Sequence, residues 1–499
     1  KMSAIITEKF RQHNANQFSE SFTETALNKY YLFLGKASPF TSGTTTGSDG
    51  IPPIPGDSPN EEFRAWDAML AAKNVTSTDI TFALPRRNWS NGTIYDMYQH
   101  NYSATTTATS SATNLYDSTF YFMTSDFRVY KVLDNNGGTA YNGSEPTSTS
   151  NSPVAIGGYI IKYMYQITQS ESSKFLTTDF MPVSTDSTVS TAATDGAIES
   201  LKVTGGSGYT DGTYYAAIYG DGSNQGTSSG AIVRITVSSG SIVSFGLTAG
   251  TDTTIHAAGG SYTFGYVNLG DAYIFSDASL SSSSSLGSGS GGAIEVMISP
   301  KGGHGSNAVT ELGGHYILTA TTLTAAEGDD FTASNDFRTV GLIIDPTLYG
   351  TTTVATGSTF RQTYVVKMAS SSGTFEPDET ITQATTGASG KVVEWDSDLS
   401  LLYYQQENFK GYGTNATTGG YVAFSGANLI TGGTSGATGT PSTTTESVTL
   451  ASGSTLTLTT GYANPELQPY TGNIIYLENR KPIQRASDQT EDIKLIIEF

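Results

Sequence analysis

The last seven residues of the chain alternate apolar with mostly polar side chains, and they constrain its fold more than any other segment. Ile493, Leu495, Ile497 and Phe499 share one face of an extended strand. This face must leave water on folding, because burying each such side chain is worth roughly 1.5–3 kcal/mol. The Gly-rich segments just upstream offer few large apolar residues, so the strand must join a sheet built from distant parts of the chain.

The first 90 residues are the only clearly helical part of the sequence. The three phenylalanines on one face of a first helix, between residues 7 and 23, are Phe10, Phe18 and Phe22. A second helix is predicted to begin with Ser58 as its N-cap and Pro59 in its first turn, and Glu61 would complete a capping box. Its apolar face would consist of Phe63, Trp66, Met69 and Leu70.

Strands predicted at 29–34 and 80–84 flank the second helix, which favours an α/β layer. This layer is too small to bury both of its apolar faces. We therefore expect the C-terminal strand at 493–499 to pair in the same sheet as strands from residues 1–90, so that the two chain ends build one domain.

The rest of the chain reads as short strands between turns, typical of antiparallel barrels or sandwiches. Residues 197–278 are predicted to be an inserted β module. A Ser/Thr-rich linker at 187–194 precedes it and a Ser/Gly linker at 279–292 follows it. Residues 371–445 form a second predicted insertion. The predicted fold class is therefore α+β, mostly β, with a discontinuous two-layer α/β domain made from both chain ends, antiparallel β-barrel or sandwich domains and inserted β modules.

The charge balance restricts the partners of the chain. Its formal net charge is −20, and such an acidic surface repels phosphate backbones, so we expect no nucleic acid partner. No cysteine is present, which removes disulfides and thiolate zinc sites. No apolar run approaches a membrane span and the first residues lack a signal core, so we expect a soluble protein made in a cytoplasm without a membrane partner.

The sequence contains no convincing catalytic or metal-binding pattern. A GxSxG match at 226–230 lies in a Gly/Ser-rich turn, and a GxGxxG match at 287–292 lies in the Ser/Gly linker. His304 and His315 stand 11 residues apart, and Asp221 begins a polar turn. We predict no catalytic residue, cofactor or metal, and hence no enzyme. The sequence leaves open whether His304, His315 or Asp221 binds an ion.

Several segments together resemble one known family. The C-terminal signature consists of Tyr476, Glu478, Asn479, Arg480, Pro482 and Ile483, followed by Asp488, Gln489, Thr490 and Glu491. The further segments are PRRNW at 85–89, FRVYKVLDN at 127–135 with GGYIIKYMYQI at 157–167, and FRTVGLIIDP at 337–346. In this order they resemble the baseplate wedge subunit of T-even-type contractile phage tails, the gene-eight product family.

The resemblance covers about 1–185, 295–370 and 460–499. It implies a two-layer α/β domain, at 1–90 with 460–499, and two antiparallel β-barrel domains, at 91–185 with 295–370. It also implies a structural virion protein that forms a homodimer, packs against other wedge proteins, and takes part in baseplate assembly and in its rearrangement on contraction.

The family-like segments supply the candidate partner residues. We predict a partner interface at Arg86, Arg87, Trp89, Glu478, Asn479 and Arg480, since Arg and Trp are enriched at interface hot spots. The plainer alternative is that Arg86 and Arg87 only form a solvated strand end. Asn88 departs from the family pattern, where an acidic residue is expected. The alternative function is a host-surface or glycan-binding tail protein whose exposed Tyr and Trp stack on sugars, and an enzyme acting on envelope polysaccharide is a third.

Overall fold

Strands dominate the computed structural model, which confirms the predicted α+β, mostly β class. The structure describes residues 6–24, 28–40, 47–270, 274–324, 336–407, 421–450, 453–483 and 490–499. The α-helices in these residues are α1 (Glu8–Ser21), α2 (Pro59–Ala68), α3 (Gln169–Phe175), α4 (Ser187–Ala192) and α5 (Ala308–Leu312).

The described strands fall into two groups along the chain. The strands up to residue 266 are β1 (Tyr30–Gly35), β2 (Met69–Val75), β3 (Ile80–Pro85), β4 (Tyr121–Met123), β5 (Arg128–Asp134), β6 (Val154–Ile156), β7 (Tyr159–Gln166), β8 (Phe180–Pro182), β9 (Ser200–Thr204), β10 (Gly212–Ala217), β11 (Tyr219–Gly220), β12 (Ile232–Ser238), β13 (Ser241–Ile242), β14 (Thr254–Ala257) and β15 (Gly265–Tyr266). The later strands are β16 (Ile274–Phe275), β17 (Ala293–Met297), β18 (Tyr316–Thr324), β19 (Phe337–Ile344), β20 (Thr359–Arg361), β21 (Tyr364–Ser372), β22 (Thr380–Gln383), β23 (Ala388–Asp396), β24 (Leu401–Gln405), β25 (Ile430–Gly432), β26 (Thr438–Pro441), β27 (Glu446–Thr449), β28 (Thr455–Leu458), β29 (Tyr462–Ala463), β30 (Asn473–Ile483) and β31 (Thr490–Glu498).

The N-terminal helices agree with the sequence in position but not in every detail. Ser58 is the N-cap of α2 and Pro59 stands in its first turn, although the Ser58 side chain makes no capping bond. The helix ends before Met69, which with Leu70 begins the buried strand β2, because pairing with β1 overrides the helical pattern. Phe10 was predicted on the buried face of α1, but it is 53% exposed.

The predicted Ser/Thr linker at 187–194 contains the short helix α4. The Asp186 side chain accepts hydrogen bonds from the backbone N–H groups of Thr188 and Val189, and the Val189 side chain is buried. The Ser/Gly segment at 279–292 also makes contacts within the protein, since Leu286 is buried and Ser290 forms a β-bridge with Ser207.

The chain divides into two compact units, and the first consists of residues 1–17, 81–318 and 496–499. Its sheets include β4-β5-β7-β6, β13-β12-β10-β16 with β14 on β12, β17-β9 and β11-β15. One buried cluster contains side chains from within 197–278, such as Ile218 and Val233, together with Phe120 and Ile160 from outside that range. The predicted boundaries of the inserted module stay a prediction.

The second unit consists of residues 18–80 and 319–495. It contains the five-stranded sheet β20-β2-β1-β19-β30, in which Trp66 of α2 packs against Tyr31 and Phe33. It also contains a closed six-stranded barrel, β24-β23-β22-β25-β26-β21, closed by pairing of β24 with β21. Val366, Ile381 and Leu402 lie in the barrel's buried core.

The C-terminal strand pairs as expected from its alternation. β31 belongs to the sheet β31-β18-β3-β8, so it shares a sheet with β3 from the first 90 residues. Ile493 and Leu495 are buried, whereas Ile497 and Phe499 are partly exposed. The burial expected of the apolar face is therefore found for two of its four residues and only in part for the other two.

Candidate partner surfaces

The first candidate surface is the segment Arg86–Trp89, which follows β3 in the first unit. Arg86 donates from Nη1 to the Thr177 carbonyl at 2.7 Å. The Arg87 guanidinium lies 4.4 Å from the centroid of the Tyr121 ring, and its Nη2 donates to the Tyr116 carbonyl at 3.3 Å. Both arginines are partly buried, so the solvated strand end considered from the sequence does not describe them.

Asn88 and Trp89 complete this segment. Arg86 Nε donates to Asn88 Oδ1 at 2.9 Å, so the guanidinium bonds to a neutral amide at the position where the resemblance led us to expect an acidic residue. The Trp89 ring meets Tyr141 edge to face, with 5.8 Å between centroids. Its backbone N–H donates to the Met123 carbonyl at 2.8 Å. These contacts direct the arginine and tryptophan side chains toward their own unit.

The second candidate surface lies on β30, the last strand of its sheet in the part of the chain that the structure describes. Glu478 accepts a hydrogen bond from the Tyr476 hydroxyl at 2.8 Å and lies 3.6 Å from Arg480 Nε. The Glu478 and Arg480 side chains are 40% and 47% exposed. Ile475 is the extra residue of a bulge opposite Leu342 and Ile343, and it is 42% exposed.

Asn479 links β30 to two other segments of the second unit. Its Nδ2 donates to the Pro53 carbonyl at 2.9 Å, and its Oδ1 accepts from the Thr339 hydroxyl at 2.8 Å. Asn479 is therefore a bracing residue, and the segment it holds is the loop at 47–56. Pro52 and residues 478–483 line a surface groove of about 480 Å³ beside this contact.

A buried arginine holds the other end of the 47–56 loop. Arg338 donates to both carboxylate oxygens of Asp49, at 3.0 and 3.1 Å, and its side chain is 4% exposed. Burial disfavours ionisation of Asp49, but hydrogen bonds from Arg338 and from the Phe40 N–H outweigh it and lower the Asp49 pKa. The loop is thus fixed at two points.

Close to those two points the loop exposes apolar side chains, Ile51 between them and Ile54 directly after the second. Ile51 is 78% exposed and Ile54 is 93% exposed. We call Ile51 and Ile54, together with Glu478 and Arg480, the loop patch. A fixed loop that holds isoleucines in water is typical of a surface that another protein covers. The sequence analysis named the two β30 residues but missed both isoleucines, whose signal was their place in the Pro-rich run IPPIP.

The histidines noted in the sequence are engaged in the first unit. Lys131 Nζ lies 2.7 Å from His304 Nδ1 and 2.8 Å from Glu311 Oε2, and all three side chains are buried. Burial, and then the neighbouring Lys131 charge, hold the His304 pKa well below its ordinary value. His315 Nδ1 lies 3.3 Å from Glu8 Oε2.

The remaining sequence candidates lie in turns. Asp221 Oδ1 accepts from the N–H groups of Thr263 and Phe264, at 2.8 and 3.1 Å. The GxSxG match at 226–230 precedes strand β12 instead of a helix. Among the described residues, no group of three or more His, Cys, Asp or Glu side chains has a metal-binding arrangement. Within the same residues, no helix combines the length and hydropathy needed to cross a bilayer.

A family model described as bacteriophage T4, Gp8 matches the chain over residues 4–150 and 443–499. The first matched segment contains Arg86–Trp89 and the 47–56 loop, and the second contains Glu478–Arg480. The match does not include residues 157–167 or 337–346, where the sequence also resembled the family. No curated protein matches the chain.

Proposed function

We propose, from the match of residues 4–150 and 443–499 to the phage T4 Gp8 family model, that the chain is a member of this family and a structural subunit of the baseplate wedge of a contractile phage tail. One structural observation supports the proposal in addition to the family match. Both matched segments contribute to the loop patch, because the Asn479 side chain of the second holds the Pro53 carbonyl of the first. A surface assembled by the two family-like segments is where we expect the family's partner contacts.

The finer parts of the proposal concern partners and location. The chain would form a homodimer with an isologous interface and contact other wedge proteins. It would be made in the host cytoplasm, reside in the tail baseplate, and take part in baseplate assembly and in the rearrangement on contraction. The proposed role is structural, without catalysis and without nucleic acid or membrane partners. Arg86, Arg87 and Trp89 remain proposed interface residues, although their contacts support a bracing role first.

A virion density map tests the proposed location. We expect the two units of this chain to fit density in the baseplate wedge. Density for this chain at a fibre tip instead would contradict the proposal and favour a receptor-binding role.

A pair of matched variants tests the proposed surface. Ile54→Asp places a charge in the loop patch, and we expect it to prevent co-purification with the other wedge proteins of the same phage. Leu429→Asp is the control, because Leu429 is also an exposed aliphatic residue, at 52%, and lies outside the matched segments. Equal losses in both variants would refute the assignment of the surface.

Sedimentation of the purified protein tests the proposed homodimer. We expect a dimer at micromolar concentration. A monomer throughout that range would remove the homodimer from the proposal without affecting the wedge assignment.

A further inference from the structure

Three aromatic side chains lie on or directly beside the small ladder formed by β11 and β15, in the first unit. Phe264 and Tyr266 are 56% and 55% exposed. Tyr219 pairs with Tyr266 across the ladder, and their ring centroids are 5.9 Å apart with planes inclined by 31°. We call Tyr219, Phe264 and Tyr266 the aromatic face.

Gly265 shows which way the aromatic face points. A Cβ atom at Gly265 would lie 3.1 Å from Ile218 Cγ2 and 3.5 Å from Val296 Cγ1, and both of those side chains are buried. Position 265 therefore faces the core. Successive residues of a strand point to opposite sides, so Phe264 and Tyr266 point together into solvent.

The backbone beneath these rings is held in place. The Asp221 carboxylate accepts hydrogen bonds from the N–H and hydroxyl of Thr263 and from the Phe264 N–H. The Thr263 hydroxyl bond, then the two backbone bonds, lower the Asp221 pKa. At neutral pH the carboxylate thus fixes the segment that carries Phe264, and a ligand need not order it.

The turn beside the aromatic face is polar, and Asp221 is the sole charged residue in the sequence from 219 to 229. The neighbouring turn exposes hydroxyl and amide side chains, which are Ser223, Asn224, Gln225, Thr227, Ser228 and Ser229. Arg234 is the sole Lys or Arg in the sequence between 203 and 300, and it donates to the hydroxyls of Thr213 and Thr236. This stretch of the sequence thus offers an anionic ligand little counter-charge, whereas a neutral ligand rich in hydroxyls needs none.

We propose that the aromatic face binds a neutral, pyranose-containing glycan. The C–H faces of successive sugar rings would stack on Phe264 and Tyr266, and their hydroxyls would hydrogen-bond to the amide and hydroxyl side chains of 223–229. Residues 219–266 lie outside the family-matched segments, so this site stands independently of the wedge role. It would also be the site for the glycan-binding function considered as an alternative from the sequence, with Tyr and Phe as the stacking residues instead of Tyr and Trp.

Calorimetric titration of the full chain with maltohexaose, cellohexaose and chitohexaose tests the proposal, with acidic hexagalacturonate as a charged comparison. We expect at least one neutral hexasaccharide to bind and the acidic one not to bind. The double variant Phe264→Ala with Tyr266→Ala should weaken binding at least about tenfold, since it removes two stacking rings. Tyr266→Phe keeps its ring and should bind nearly as the wild type.

Tyr349→Ala is the matched control, because Tyr349 is an exposed tyrosine, at 39%, in the other unit. Its affinity should equal that of the wild type. The proposal is overturned if no neutral hexasaccharide binds at millimolar concentration, or if the double variant binds as well as the wild type. Loss of binding to another wedge protein in the double variant, without glycan binding by the wild type, would show a protein contact instead and would also overturn it.

Discussion

The two segments that carry the family-like motifs use the same kinds of residue in opposite ways. In Arg86–Trp89 the charged and aromatic side chains turn toward their own unit, where they bond to carbonyls and pack on Tyr121 and Tyr141. In the loop patch, Arg338 and Asn479 brace the loop from behind, and the outward residues are isoleucines and a partly exposed ion pair. A distinctive motif therefore does not by itself mark a contact surface. Changes in the first segment should cost stability, and changes in the loop patch should cost association.

The largest effect is expected from removing the brace behind the loop patch. Arg338→Ala leaves Asp49 and Asp336 without their guanidinium partner and should lower the free energy of unfolding by about 2–3 kcal/mol, which is less than for a fully buried pair because Asp49 is partly exposed. Amide exchange across 47–56 should accelerate. Arg338→Lys should lie between wild type and Ala. Unchanged exchange in the Ala variant would mean that the loop has another support.

Arg87→Ala should lower the free energy of unfolding by about 2 kcal/mol, because it removes the contact with the Tyr121 ring and the bond to the Tyr116 carbonyl. The matched control is Arg480→Ala, an exposed arginine whose removal should change stability by less than about 0.5 kcal/mol. Urea denaturation measures both. If Arg87→Ala were fully stable and failed to associate with partners, the contrast between the segments would be reversed.

Acid should affect the interior of the first unit, where His304 is buried. The folded state binds a proton at His304 less readily than the unfolded chain does. The contribution of neutral His304 to the free energy of unfolding is therefore fully present above the ordinary histidine pKa of about 6.5, and it is lost as the pH falls below that value. For this one group, the free energy of unfolding can change by about 1.4 kcal/mol per pH unit. Burial first, and then the neighbouring charges of Lys131 and Lys162, lower the His304 pKa.

Asp134 titrates in the same range with the opposite sign. Burial raises its pKa to about 6, so its contribution to stability falls as pH rises from about 4 to 6. The variant Asp134→Asn removes this opposing effect. In the Asp134→Asn background, the free energy of unfolding measured by urea denaturation should rise from pH 5 to pH 7. It should rise less when His304→Gln is added. Equal slopes would contradict the assignment to His304.

The smallest effect on stability is expected from exchanging the charges of the loop patch. The double variant Glu478→Arg with Arg480→Glu keeps the net charge and the exposed pair, so the free energy of unfolding should change by less than about 0.5 kcal/mol. If a partner presents complementary charges, the same variant should reduce co-purification with the wedge proteins. A large loss of stability would show that these side chains are braces like Arg87.

Local signals in the sequence predicted local structure well. The Ser58-Pro59 start of α2 and the alternating terminal strand β31 depend on neighbouring residues, and both are found. Met69 and Leu70 fitted a helical stripe equally well, and only pairing with β1 decides that they extend a strand. Sheet partners come from distant parts of the chain, which a local pattern does not contain.

The candidate surfaces show the same limit. The motifs identified Arg87 and Arg480 but not where their side chains point. Arg87 turns inward because it packs on Tyr121, whereas Arg480 is exposed because it lies on the last strand of its sheet. Lys131 was read as part of a family motif, not as a buried charge, since a lysine in a strand is usually exposed. Its partners His304 and Glu311 lie more than 170 residues away.

The closed barrel of β21 to β26 has a consequence for how such a chain can change over time. Its first and last strands pair directly, with Ser370 opposite Thr440, so the chain enters and leaves at neighbouring points. The barrel lies outside the family-matched segments. Closure also gives each of its six strands a partner on both sides, which leaves little free edge for a second chain. Such a barrel can be gained, lost or exchanged at one position, and it offers a second chain little opportunity for strand pairing.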